Sequence, residues 1–268
     1  MANKAARVLT IAGSDSGGGA GIQADIKTIT CMGGYAASAI TALTAQNTHG
    51  VSAIYPASAS FVTAQIEAVL SDIGADCIKT GMLLNAEIIV AIAHSLQKYA
   101  THIPLVLDPV MVAKGGAPLL EPDAITALRT HLIPRATLLT PNLPEASLLI
   151  GRPVLTLSDM HAAITDLRAL GAQAVLLKGG HLSGDTVTDM LITSDHVEIF
   201  TDPRIDSKNT HGTGCTLASA IACGIAQHMP LPDAVARARH YVRAAMSGAP
   251  QIGSGHGPLW HNITFPCN

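Results

Sequence analysis

The sharpest chemical signal in the chain is the run Asn209-Thr210-His211-Gly212-Thr213-Gly214-Cys215-Thr216. Directly after it, Ala218, Ile221, Ala222, Ile225 and Met229 recur at the spacing of one buried helix face. Two glycines therefore sit where a helix begins. Backbone N–H groups at such a point lack intrahelical partners, and the helix dipole adds positive potential. Without side chains, Gly212 and Gly214 let an anion come close to those amides. A glycine turn needed only for tight packing has the same spacing. Cys215 favours chemistry, because a thiol at a helix amino terminus has its pKa lowered from ~8.5 toward ~3.5–7.5. It could take a proton from a substrate hydroxyl while the amides hold a transferring phosphoryl group. Phosphoryl transfer, with its loose transition state, asks more of positioning than of base strength. Cys31, Cys77 and Cys223 read as packing residues.

A second glycine-dense loop, Gly13-Ser14-Asp15-Ser16-Gly17-Gly18-Gly19-Ala20-Gly21, opens a helix whose expected buried stripe is Ile22, Ile26 and Ile29. Asp25 falls on that apolar side, where a carboxylate without partners is costly. A ligand amine or a backbone donor would satisfy it. Asp108 follows the apolar run Leu105–Leu107 and could help position a hydrated Mg²⁺, which takes one or two carboxylates plus phosphates. Asn142 and Glu145 have the spacing of a helix capping box. Lys178 emerges from an apolar run into Gly179-Gly180 and reads as a phosphate contact.

These residues need a scaffold, and the apolar pattern supplies one. Strand-like runs are Val8–Ala12, Ala36–Ile40, Cys77–Thr80, Leu105–Leu107, Leu138–Thr140, Ala174–Leu177, Thr188–Ile192 and Val197–Phe200. Helical spacing lies between them, as in Phe61–Leu70 and Ile88–Leu96, and two helices, Thr216–His228 and Pro232–Met246, follow in succession. Continuous apolar strands alternating with helices predict a mostly parallel sheet covered on both faces, with ligands at the carboxyl ends of the strands. One domain over 1–268 is expected. The P-loop, the dinucleotide fingerprint, the G-x-S-x-G elbow and H-E-x-x-H are all absent. Twelve histidines show no metal-ligand pattern.

The 268 residues carry 16 Lys+Arg against 19 Asp+Glu, a net charge of −3. That balance argues against a general nucleic-acid binder. Charged residues are 13 % and apolar ones 48 %, which excludes a disordered chain. No apolar stretch approaches the ~18–20 residues that span a membrane, and the amino end has no signal-peptide core. Five cysteines without C-x-x-C spacing point to a soluble protein of a reducing compartment, the cytoplasm.

Taken in order, the motifs resemble those of the hydroxymethylpyrimidine/phosphomethylpyrimidine kinases of thiamine biosynthesis. The matching segments are Gly13-x-Asp15 with Gly18-Gly-Ala-Gly-Ile-Gln-Ala-Asp25, Thr41-Ala-Leu-Thr-Ala-Gln46-Asn47, Lys79-x-Gly81-Met82-Leu83 and Leu107-Asp108-Pro109-Val110-Met111. Thr140-Pro141-Asn142-x-x-Glu145, Leu177-Lys178-Gly179-Gly180-His181, Asn209 to Thr216 and Gly255-His256-Gly257-Pro258 complete the set. The resemblance implies a ribokinase-like, three-layer α/β/α sandwich without a separate lid domain, usually a homodimer. It implies transfer of the ATP γ-phosphoryl group to the pyrimidine's hydroxymethyl oxygen, then a second transfer giving the diphosphate. Carried over by position, Cys215 is the general base, and Gly212 and Gly214 build the anion hole. Lys178, Asn142 and Thr213 contact ATP, while Asp108 and Glu145 serve Mg²⁺, with a monovalent cation admissible. Gln46 reads the aminopyrimidine edge, with Asp25, Gly13, Ala20, Met82 and Val110 around the ring. A pyridoxal kinase on the same fold and a non-catalytic pyrimidine sensor are the alternatives. Asp15-Ser16-Gly17 and Ala113-Lys114-Gly115-Gly116 depart from the family pattern by gaining glycine or losing proline, so the segment Lys114 to Ala117 is expected to be mobile without ligand.

Overall fold

The computed structural model describes residues 5–111, 120 and 122–263; the expectation about Lys114 to Ala117 lies outside them. The strands are β1 (Arg7–Asp15), β2 (Tyr35–Asn47), β3 (Gly50–Pro56), β4 (Cys77–Thr80), β5 (Leu105–Leu107), β6 (Leu138–Leu139), β7 (Val175–Leu177), β8 (Thr186–Ile192) and β9 (Val197–Pro203). The helices are α1 (Gly21–Cys31), α2 (Ala59–Asp72), α3 (Ala86–Tyr99), α4 (Pro122–Ala127), α5 (Leu143–Ile150), α6 (Leu157–Ala162), α7 (Ile164–Arg168), α8 (Thr213–Ala226) and α9 (Leu231–Ser247). Every described strand belongs to one sheet, in the order β3-β2-β1-β4-β5-β6-β7-β8-β9. From β2 to β7 the neighbours are parallel; β3, β8 and β9 join antiparallel.

Successive strand residues face opposite sides of the sheet, and each side is covered. Leu105, Leu107, Val175 and Leu177 pack in a core with α2 to α7. Val106 and Leu176 pack in the other, with α1, α8 and α9. This is the expected α/β sandwich.

Two expectations need correction. First, Ala36–Ile40 is only the amino-terminal part of β2, which runs on to Asn47 and turns through Thr48-His49 into β3. Most of β3 is exposed, so it has no buried alternation by which to be recognised. Second, the buried face of α1 is Ile22, Asp25 and Ile29 with Ala24 and Thr28, whereas Ile26 is 36 % exposed. A charged side chain takes the core position expected of Ile26, because its partners wait inside the protein.

Candidate active site

Gly212 is the residue before the first turn of α8 and has φ +84°, a left-handed conformation that favours glycine. A side chain there would strike the carbonyl of Gly19, so the second glycine-rich loop lies against this helix start. Thr216 N–H donates to Gly212 O at 2.9 Å. The N–H groups of Thr213, Gly214 and Cys215 precede any intrahelical acceptor and point out of the helix. The Thr213 hydroxyl donates to Thr210 O, leaving its backbone amide as the group it can offer an anion.

Charged groups converge on this end of α8. A Cβ on Gly214 would lie 3.4 Å from Lys178 Nζ and 3.6 Å from Asp108 Oδ2, so glycine gives both groups room at the helix start. Lys178 Nζ donates to Asp108 Oδ1 at 3.0 Å, and Thr140 Oγ1 donates to the same oxygen at 3.1 Å. Burial disfavours the Lys178 charge, but Asp108 and Glu145 more than offset it and hold its pKa above the ordinary value. Asn142 and Glu145 form the capping box of α5: Glu145 N–H donates to Asn142 Oδ1 at 2.9 Å and Asn142 N–H to Glu145 Oε2 at 2.8 Å. Burial pushes Glu145 up to about 7, with Asp108 adding to the rise and Lys178 opposing it. Two neighbouring buried carboxylates facing one lysine suit a cation. No group of three or more acidic, His or Cys ligands occurs among the described residues. A Mg²⁺ ion at Asp108 and Glu145 would therefore keep water and take phosphate oxygens.

Cys215 is half-buried beside these groups. Its thiol does not follow the expectation of a lowered pKa. Burial pushes it up to about 11; Asp25 and Asp108 push the same way, and Lys79 and the Gly21 N–H offset only part. Desolvation and two carboxylates outweigh the helix terminus, so in the free protein Cys215 is a thiol.

Lys79 has a role that no sequence motif signals. It is 0 % exposed, in a strand whose four residues are all buried, and it donates to both oxygens of Asp25 at 2.9 Å. Thr10 and Ser219 hydroxyls also donate to Asp25, at 2.5 and 2.7 Å. Asp25 is thus satisfied by three protein side chains and closed to solvent, so neither the ligand amine nor the backbone donor is its partner, and a place beside a pyrimidine ring is corrected. The available signal was a lysine inside the apolar strand Cys77-Ile78-Lys79-Thr80, since a buried lysine calls for a buried carboxylate.

The remaining residues gather at the carboxyl ends of β1, β2, β4 and β5. The β1–β2 register shifts around Gly13, and a side chain there would collide with Met82 Cε. Thr41 Oγ1 holds Met82 O at 2.7 Å. Val110, half-buried, follows Asp108, to whose carbonyl its N–H donates. Ala20 precedes α1, and its N–H donates to Asp15 Oδ2 at 2.9 Å. Gln46 follows a register shift in the β2–β3 pair, the kind of irregularity that re-aims a side chain. Its amide nitrogen lies 3.3 Å from His211 Nε2, which ties it to the segment before α8. A groove of about 620 Å³, lined by Leu143, Leu148, Val154, Leu155 and His181 among others, contains none of these groups.

The family model of phosphomethylpyrimidine kinase matches residues 15–260. The chain belongs to the phosphomethylpyrimidine kinase family. It is 55 % identical over 255 residues to the thiamine biosynthesis bifunctional protein ThiED of Geobacter sulfurreducens, covering 95 % of this chain and 52 % of that protein. The chain thus spans about half the length of that relative. It is 48 % identical to the hydroxymethylpyrimidine/phosphomethylpyrimidine kinase of Rhizobium meliloti, covering 94 % of this chain and 96 % of the relative. Among solved structures, a Bacillus subtilis pyridoxal kinase in complex with ADP superposes with a TM-score of 0.90 at 36 % identity, covering 96 % of this chain and 98 % of that one. Membership makes the chain a kinase with a ribokinase-like fold. No helix among the described residues is long and apolar enough to cross a membrane.

Proposed function

We propose that this chain transfers the γ-phosphoryl group of ATP to the hydroxymethyl oxygen of 4-amino-5-hydroxymethyl-2-methylpyrimidine, and then phosphorylates the monophosphate to the diphosphate. The observation that carries the reading is the convergence of Lys178, Asp108 and the open amides of Thr213, Gly214 and Cys215 at the start of α8. Fixed donors aimed at one point stabilise a migrating phosphoryl group without reorganising. Lys178 draws the ATP phosphates toward those amides. Asp108 and Glu145, with Asn142 bracing Glu145, hold the Mg²⁺ that neutralises phosphate charge when bound. Cys215 faces the acceptor hydroxyl and, in the fraction of molecules in which its sulfur is ionised, the thiolate accepts the hydroxyl proton as the oxygen attacks the γ-phosphorus. Gln46 offers a donor and an acceptor to the aminopyrimidine edge, between the Gly13–Met82 contact and Val110.

A pyridoxal kinase is the second reading, favoured by the structural likeness to the Bacillus subtilis enzyme. A coupled ATPase assay on the pyrimidine alcohol, its monophosphate and pyridoxal decides between them. The first two are turned over with the higher kcat/KM; a preference for pyridoxal would overturn the assignment.

A homodimer in the cytoplasm completes the proposal. On the β2–β3 hairpin Leu43 pairs with Tyr55, and these side chains are 51 % and 73 % exposed, with Phe61 of α2 at 62 %. Such large apolar groups suit a second copy of the chain, and Tyr55→Glu should shift the sedimentation coefficient to that of a monomer. None of the described cysteines is joined in a disulfide.

A further inference from the structure

Asp15 is nearly buried and saturated with donors. Its Oδ1 accepts from Gly17 N–H at 2.8 Å, and its Oδ2 from Gly19 and Ala20 N–H at 3.0 and 2.9 Å. Those loop amides are therefore taken, and the loop is not a phosphate cradle. The same Oδ2 lies 2.8 Å from His211 Nε2. Gly19 makes room for the ring, since a Cβ there would come within 2.6 Å of His211 Cδ2. Burial alone would raise the Asp15 pKa, but the hydrogen bond and charge of His211 with the Gly17 and Ala20 amides bring it below the ordinary carboxylate value. Asp15 is an acceptor only.

Proton counting then settles the Gln46 amide. Its two terminal positions lie 3.1 Å from Thr44 Oγ1 and 3.3 Å from His211 Nε2. Thr44 has one hydroxyl proton, and it goes to the carbonyl of Ser14 at 2.8 Å. Toward Gln46, Thr44 therefore presents a lone pair. At the other end, Asp15 requires the proton on His211 Nε2, which leaves that nitrogen no lone pair to offer. As placed, the carbonyl faces Thr44 and the nitrogen faces His211; a half-turn, which exchanges two ends of nearly identical shape, puts the N–H toward Thr44 and the carbonyl toward His211 and satisfies both neighbours. One N–H and one oxygen lone pair remain for a ligand.

We propose that Asp15, acting through His211, fixes the polarity of the Gln46 amide and thereby selects the ring edge that the site accepts. His211 is then a specificity-determining positioning residue. This rests on the reading of Gln46 as the group that meets the substrate ring. The chemistry of the two candidate alcohols makes the polarity decisive. With the hydroxymethyl groups superposed, the neighbouring ring substituent is an amino donor in the pyrimidine and an aldehyde acceptor in pyridoxal. The next ring position is a nitrogen acceptor in the pyrimidine and a hydroxyl in pyridoxal. A locked amide matches one pattern and opposes the other; an amide free to turn accepts both.

The test has two parts. Long-range ¹H–¹⁵N spectra of the wild-type histidine rings, with His211 identified by its loss in His211→Phe, report which ring nitrogen carries the proton. Protonated Nε2 is expected; a bare Nε2 overturns the proposal. Then kcat/KM is measured for the pyrimidine alcohol and for pyridoxal in wild type, His211→Phe and His211→Gln, whose amide N–H can stand in for Nε2–H. Loss of one oriented hydrogen bond should lower the pyrimidine-to-pyridoxal ratio about tenfold in His211→Phe, with KM for ATP unchanged and the ratio regained in His211→Gln. An unchanged ratio, or a loss that His211→Gln does not repair, overturns it. If wild type phosphorylates neither alcohol, the kinase reading falls, while the spectra still decide the amide.

Discussion

Replacing Lys79 by Met removes the cation paired with Asp25, a carboxylate sealed inside the protein. Both side chains are 0 % exposed and their contacts are 2.9 Å, so Asp25 would be left charged in the core or forced to take a proton. Breaking a buried pair from one side costs about 3–5 kcal/mol. The Thr10 and Ser219 hydroxyls still donate to Asp25 and hold the loss to the lower end, about 3 kcal/mol. Against a total stability of about 5–15 kcal/mol this is large. Urea unfolding reads it directly as a fall in midpoint at constant slope. The double variant Lys79→Met with Asp25→Leu removes both charges and should regain most of the loss. A single variant that costs less than about 1 kcal/mol, or a double variant no better than the single, refutes the claim that this pair is buried and mutually dependent. The substitution also removes the cation that favours the Cys215 thiolate, so turnover should fall with stability.

Other outcomes follow from the same geometry. With the Cys215 thiol pushed up to about 11 and its ionised form required, kcat/KM for the alcohol should climb about tenfold per pH unit between about pH 7 and 10; a flat profile removes the thiolate as base. Burial pushes Glu145 up to about 7 in the fold against an ordinary glutamate value of 4.5, so between those values the native state binds the extra proton and stability falls as pH rises. The fall amounts to about 3 kcal/mol, measured by urea unfolding in EDTA, and Glu145→Gln should abolish it while keeping the cap. Gly212→Ala meets both a left-handed φ of +84° and the Gly19 carbonyl. Its melting temperature should drop by several degrees, as about 1–3 kcal/mol of strain requires.

The parallel sheet was legible because its strands are short, continuous apolar runs; Cys77–Thr80 and Leu105–Leu107 coincide with β4 and β5. The convergence of glycines, Lys178 and Asp108 was legible because each stands at a strand or helix end, where topology brings such ends together. What escaped depends on partners distant in sequence. Asp25 and Lys79 are 54 residues apart, Asp15 and His211 are 196 apart, and neither pairing has a local signal. The raised Cys215 pKa lacks a local signal for the same reason: the helix terminus is visible in the sequence, whereas the enclosing walls and two carboxylates are not. The β3 edge escaped because an exposed strand has no core side to reveal it.

The account stands or falls on phosphoryl transfer beside the Cys215 sulfur. Following ³¹P NMR signals of the pyrimidine alcohol with Mg-ATP, in wild type and Cys215→Ala, tests it directly. Wild type should produce the monophosphate and then the diphosphate, and Cys215→Ala should lose at least about a hundredfold in kcat, the scale of a positioned acid–base group, with little change in KM. Wild-type turnover in Cys215→Ala, or no phosphorylated pyrimidine from wild type, would contradict it.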